Sequence, residues 1–136
     1  MCKLPELHES LILHNIKQRY LNDIIYTYIG PMIVSVNPYK VIDAYGNHLI
    51  RDYKEKEKDE LLPHLFSIAQ KAYQSLVNFN SSQAVIISGE SGAGKTEATK
   101  IVLTYLTAQM SNPKSGVDLA QMILATNPVL EAFGNA

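Results

Sequence analysis

An α/β architecture, with a mostly parallel sheet flanked by helices, is the fold class this sequence predicts, and three observations predict it. The run Ala84-Val85-Ile86-Ile87-Ser88 is compact and apolar, as suits a buried parallel strand. A glycine-rich turn follows it directly. Beyond that turn, Ala98, Ile101, Val102, Tyr105 and Leu106 form an apolar stripe at helical spacing, in a helix that starts at Lys95.

The other elements follow in chain order. Over residues 9–20, Leu11, Ile12, Ile16 and Tyr20 recur at helical spacing with Leu13 beside them, which predicts a short helix. Residues 31–37 carry Ile33, Val34 and Val36 between Gly30 and Pro38, the pattern of a strand that ends at a turn; Asn37-Pro38 then opens a loop. Nine of the ten residues 51–60 are charged, four basic and five acidic, and this mixed run predicts a solvated loop or an exposed helical turn. After Pro63, the residues Leu65, Ile68, Ala69, Ala72, Tyr73, Leu76 and Val77 line one face of a helix packed on a sheet. Residues 78–82 are a polar connector. Residues 111–116 read as a flexible surface loop, Asp118 with Gln121 as an N-cap and capping-box pair, and Pro128 as a kink or restart of the helix they begin. There is no internal repeat and no low-complexity tract.

Composition narrows the class of partner. A 46% hydrophobic content over 136 residues suffices for one ordinary domain with a buried core. The formal net charge of −1 and a pI near 6.4 provide no basic field for nucleic acid or an anionic membrane, so neither is an expected partner. The single cysteine, Cys2, forms no internal disulfide. No signal-peptide pattern, lipidation signature or membrane-length apolar stretch is visible, which predicts a cytosolic protein.

Residues 89–96 read Gly-Glu-Ser-Gly-Ala-Gly-Lys-Thr and satisfy the P-loop pattern. Glycines let successive amides converge on an anion with no Cβ in the way, so Gly89, Glu90, Ser91, Gly92, Ala93 and Gly94 form a phosphate cradle. The helix start adds unsatisfied amides and the positive end of its dipole. Lys95 reaches the β- and γ-phosphates, and Thr96 places a hydroxyl on Mg²⁺. Chance would produce the four fixed positions in a chain of this length about half a per cent of the time, so the motif is read as functional. A dinucleotide fingerprint begun at Gly92 would need glycine where Glu97 stands, and a protein-kinase loop would not carry lysine directly after its last glycine.

Several roles stay open on the residues alone. Ser91 is either a γ-phosphate contact or a plain loop residue, and Glu90 and Glu97 are as readily solvent-facing as functional. His8, His14, His48 and His64 show no metal-ligand spacing and are assigned to surface or packing roles. Another P-loop NTPase or nucleoside kinase would place its loop near the start of the chain, whereas 88 residues precede Gly89 here. A non-catalytic nucleotide-binding fragment is the third reading.

The wider string over residues 89–100, GESGAGKTEATK, resembles the myosin P-loop beyond what the generic pattern demands. LHNIKQRYLNDIIYTY at 13–28, NPYK at 37–40, PHLFSIAQKAY at 63–73 and NPVLEAFGNA at 127–136 are similar to myosin head sequence in the same order. The resemblance implies that residues 1–136 are part of a motor domain of incomplete P-loop NTPase type, ending just before switch I. It implies ATP and Mg²⁺ as ligands, Lys95 as the catalytic lysine, and Thr96 as the metal ligand. Asn37, Pro38, Tyr39 and Lys40 through Tyr45 become the loop contacting adenine, although an ordinary Asn-Pro turn with Tyr39 and Tyr45 as packing residues remains an alternative. Val41 stands where many members carry a basic residue. Coupling of ATP hydrolysis to movement on actin filaments, actin contact and light-chain binding by a neck are implied for the parent through regions outside this sequence, within a cytoplasmic, cytoskeletal myosin complex. The isolated 136 residues are expected not to turn ATP over.

Overall fold

A computed structural model describes residues 8–42, 45–56 and 61–110, with 122, 123, 125, 126 and 128. The expected loop at 111–116 and the Asp118–Gln121 cap lie outside the described residues. The elements run α1 (Glu9–Leu21), β1 (Tyr26–Ile29), β2 (Met32–Ser35), α2 (Asn47–Glu55), α3 (Leu65–Phe79) and α4 (Lys95–Met110).

The strands pair antiparallel, with Ile29 opposite Met32 and Tyr26 opposite Ser35. Gly30 at φ +57 and Pro31 make the two-residue connection. A glycine with positive φ at the first central position lets such a turn match the right-handed twist of its strands. Arg19 pins the end of α1 to this hairpin, donating from Nε to Thr27 Oγ1 at 2.9 Å and from its guanidinium to Tyr26 O at 2.8 Å.

Helix α3 packs on α4 and on α2. Its stripe buries Leu65, Phe66 and Ala69, and α4 contributes Ala98, Val102 and Tyr105 at the expected helical spacing. Ile25, Tyr26 and Tyr53 complete the core. Phe66 and Tyr105 sit with ring centroids 5.0 Å apart, and Tyr105 donates to Gln70 Oε1 at 2.9 Å, so its hydroxyl keeps a partner while its ring is buried. The α3 stripe fades toward its C-terminus, where Leu76, Val77 and Phe79 are exposed.

One expectation is corrected, and another is not met among the described residues. The charged run 51–60 begins inside a helix, α2, and Tyr53 within it is buried, its hydroxyl donating to Leu62 O. Tyr53, with Leu49 and Ile50 packed against the core beside it, docks a helix whose other face is solvated. The mostly parallel sheet is not formed among the described residues, where the one sheet is the β1–β2 hairpin. Ala84-Val85-Ile86-Ile87-Ser88 has no ladder partner there, and Ile86 is 90% exposed. A parallel strand is covered only when neighbours occupy its edges and faces, a condition its own sequence cannot supply.

Candidate nucleotide-phosphate site

The glycine loop connects the extended 84–88 segment to α4. Gly92 and Gly94 adopt φ +79 and +92, which side-chain-bearing residues rarely adopt. Ala93 N–H closes a tight turn onto Glu90 O at 3.2 Å. Helix α4 makes its first bond from Ala98 N–H to Gly94 O at 2.9 Å, so the amides of Lys95, Thr96 and Glu97 precede the helical ladder. These amides and the positive helix end make the site electropositive independently of any side chain.

Lys95 lies back over the loop, its Nζ donating to Gly89 O and Glu90 O, each at 2.8 Å. An ammonium has three N–H donors, and these two bonds leave one for an anion. The lysine is therefore held in position by the loop itself. Thr96 is exposed on the first turn of α4, with Glu90 and Ser91 exposed in the loop. Glu97 pairs with Lys100 at 2.6 Å.

Residues 36–42 form the adjoining wall and are fastened at Pro38 and Lys40. Tyr20 donates to Pro38 O at 3.3 Å, and Lys40 Nζ lies 2.5 Å from Asp23 Oδ1. Lys40 is thereby committed to α1's C-terminal turn. Asn37 Oδ1 accepts the Tyr39 N–H at 3.0 Å, while Asn37 Nδ2 donates to Gly92 O across 2.8 Å. Tyr39 has φ +49 and is largely exposed. Its hydroxyl lies over the loop, 4.0 Å from where a Cβ on Gly92 would be. A cavity of about 400 Å³ opens between the two segments, lined by Asn37, Pro38, Lys40, Ile42 and Tyr45 on one side and by Gly94, Glu97 and Ala98 on the other.

Behind this cavity stands an aromatic cluster. Tyr26 and Tyr45 hydroxyls are 3.0 Å apart, and the His64 ring lies 4.9 Å from Tyr26 and 5.6 Å from Tyr45. Burial, reinforced by the Tyr45 hydrogen bond, raises the Tyr26 phenol well above its ordinary range. His64 Nδ1 accepts the Phe66 N–H at 3.1 Å and caps α3. The packing role assigned to the histidines thus holds for His64, and it comes with a capping role that its position directly after Pro63 could have suggested.

Twelve of the thirteen residues singled out from the sequence fall in these two adjacent segments, and Tyr45 stands in the aromatic cluster behind them. Sequence reasoning missed the tether from Asn37 to Gly92 and the commitment of Lys40 to Asp23. Both are long-range pairings that no local pattern encodes. Among the described residues no group of three or more His, Cys, Asp or Glu could hold a metal ion, and no helix is long and apolar enough to cross a membrane.

Comparison with known proteins adds an independent line. The family described as "Myosin head (motor domain)" matches residues 1–136. Unconventional myosin heavy chain 6 of Caenorhabditis elegans is 51% identical over 136 residues, covering 100% of this chain and 6% of that protein. Myosin-4 of Saccharomyces cerevisiae is 48% identical over 139 residues, covering 98% and 9%, and Myosin IA heavy chain of Dictyostelium discoideum is 48% identical over 133 residues, covering 98% and 13%. The chain spans only about a tenth of the length of the curated relatives it matches.

Proposed function

The chain belongs to the myosin head (motor domain) family, and from that premise we propose that it is the ATP-binding portion of an actin-based motor, its residues 89–96 gripping the phosphates. The observation that carries this reading is Lys95 held by two loop carbonyls above two positive-φ glycines at the start of α4. The loop amides and the α4 N-terminus bind the phosphate oxygens, and the free N–H of Lys95 takes the β/γ side. Mg²⁺ would be held by the Thr96 hydroxyl together with phosphate oxygens, and it supplies neutralisation of phosphate charge. The exposed first-turn hydroxyl and the glycines' freedom from Cβ atoms fit that ligand pair. The adenine occupies the cavity walled by Asn37, Pro38, Tyr39, Lys40 and Tyr45.

What these residues offer is positioning and charge. Turnover, and its coupling to actin-bound and detached states, we assign to the parent motor, with actin and light chains engaged by its other regions and a cytoskeletal location. The 136 residues alone bind nucleotide weakly at best and do not hydrolyse it. The parallel sheet belongs to the same proposal. A cleft of about 580 Å³ separates β2, through Ile33, Val34 and Ser35, from Val85, Ile86 and Ile87, and a further strand of the motor fills it.

Titration of a fluorescent ATP analogue with Mg²⁺ tests the central assignment. The folded chain is expected to bind saturably, and Lys95→Ala to weaken binding about 10- to 100-fold, the loss of one charge-assisted hydrogen-bonding group. Equal binding by both proteins, or none by a folded wild type, contradicts it.

A further inference from the structure

We propose that Asn37 is a positioning residue for the phosphate loop, shaping the cradle through the Gly92 carbonyl whether or not a base is present; this rests on the nucleotide-phosphate reading of residues 89–96. The adenine-wall reading makes Asn37 a contact for the base. Its hydrogen bonds point elsewhere. Oδ1 accepts the Tyr39 N–H at 3.0 Å, so the side chain closes a turn on its own segment, and Nδ2 donates to Gly92 O at 2.8 Å, 55 residues away in the chain. The amide cannot be reversed, because its oxygen would then face a carbonyl oxygen and its nitrogen an N–H. Each polar atom thereby makes a bond to a backbone group.

The consequence for the loop follows from peptide geometry. A trans peptide points its C=O and its N–H in opposite directions. Holding the Gly92 carbonyl outward, toward Asn37, turns the Ala93 N–H inward, where it meets Glu90 O at 3.2 Å. Gly92, with φ +79 and no Cβ, restrains this peptide little, so its orientation rests on the Ala93 turn within the loop and on the Asn37 bond from outside it. Asn37 Nδ2 also lies 4.0 Å from the position of a Cβ on Gly94, against the second positive-φ glycine. The turn that orients Asn37 is itself unusual, since Tyr39 takes φ +49. The side chain that stabilises this local conformation is the one that reaches the loop.

The test compares ligands with and without a base. Affinities of the full chain for Mg-ATP and for Mg-tripolyphosphate are measured in wild type, Asn37→Ala and Asn37→Ser, with Lys95→Ala as control. Serine retains an oxygen that can accept the Tyr39 N–H but cannot reach Gly92. Both Asn37 variants are expected to weaken both ligands by the same factor, about three- to tenfold, as for one lost hydrogen bond. Hydrogen exchange is expected to accelerate in residues 90–94 while the amides of α3 and the β1–β2 hairpin keep wild-type rates, which a general loss of stability would not produce. Weakened ATP with unchanged tripolyphosphate would make Asn37 a base contact and overturn the inference, as would wild-type affinity in Asn37→Ser or uniform acceleration of exchange. A folded wild type that binds neither ligand, or binds both equally well after Lys95→Ala, would instead overturn the nucleotide-phosphate reading itself.

Discussion

The aromatic core and the phosphate loop are neighbours built on opposite principles. In the core, Phe66, Ala69 and Tyr105 are almost completely buried, and His64 is ringed by Tyr26, Tyr45, Tyr53 and Phe66. Each group is held by many neighbours, so no single polar contact is decisive. The loop and the segment leading to it are exposed from Ser81 through Ser91 except at Val85 and Ile87. Their conformation depends on glycine dihedrals, a lysine bonded to its own carbonyls and one asparagine bridge. Stability is concentrated in the first region and, on the proposed reading, the binding groups lie in the second. An anion site needs unsatisfied amides facing solvent, and a core tolerates none.

The sharpest way to break this contrast is to damage the core. Phe66→Ala is expected to cost about 3–5 kcal/mol in unfolding free energy, measured by denaturant titration, because the rings around it cannot close the cavity. The molecules that remain folded should bind Mg-ATP as wild type does; lost affinity in the folded fraction would mean that core and loop are one cooperative unit.

Alkaline titration probes the same region more gently. Burial pushes the Tyr53 and Tyr105 phenols from 10.0 to about 12, and raises Tyr26 further. A folded pKa above the unfolded one means that this stabilisation is fully present below about pH 10 and is lost as pH rises toward 12. Thermal unfolding should therefore be insensitive to these phenols up to about pH 10 and then fall, with a shallower fall in Tyr53→Phe. The smallest expected effect on stability lies in the loop. At Gly94→Ala the added Cβ meets nothing closer than Asn37 Nδ2 at 4.0 Å, so the cost is the left-handed backbone, about 1–2 kcal/mol. Isothermal titration should show phosphate affinity falling while α3 and the hairpin keep their circular dichroism signal.

The two regions also differ in how far the sequence disclosed them. The helices were legible where an apolar face repeats: α1, α3 and α4 lie within a few residues of their expected bounds. The glycine loop was legible as a turn ahead of a helix, because positive-φ glycines and a helix start are local features. Strand β1 was missed although Tyr26 and Tyr28 alternate ahead of Gly30-Pro31, a two-residue hairpin signal, because 31–37 was read as a lone strand. In α2, the charged run that starts at Arg51 hid Tyr53, which docks the helix with Leu49 and Ile50. The expected partners of Ala84-Val85-Ile86-Ile87-Ser88 could not be read from that run, since strand pairing is a property of two segments. For the same reason the Asn37–Gly92 bridge was invisible.

The most direct test of the claim that residues 89–96 are the nucleotide site is hydrogen exchange with and without Mg-ATP. Slowed exchange is expected in 90–97, with a smaller effect in 37–45 and none in the β1–β2 hairpin. Unchanged exchange in the loop at saturating Mg-ATP, or protection confined to another part of the chain, would contradict it.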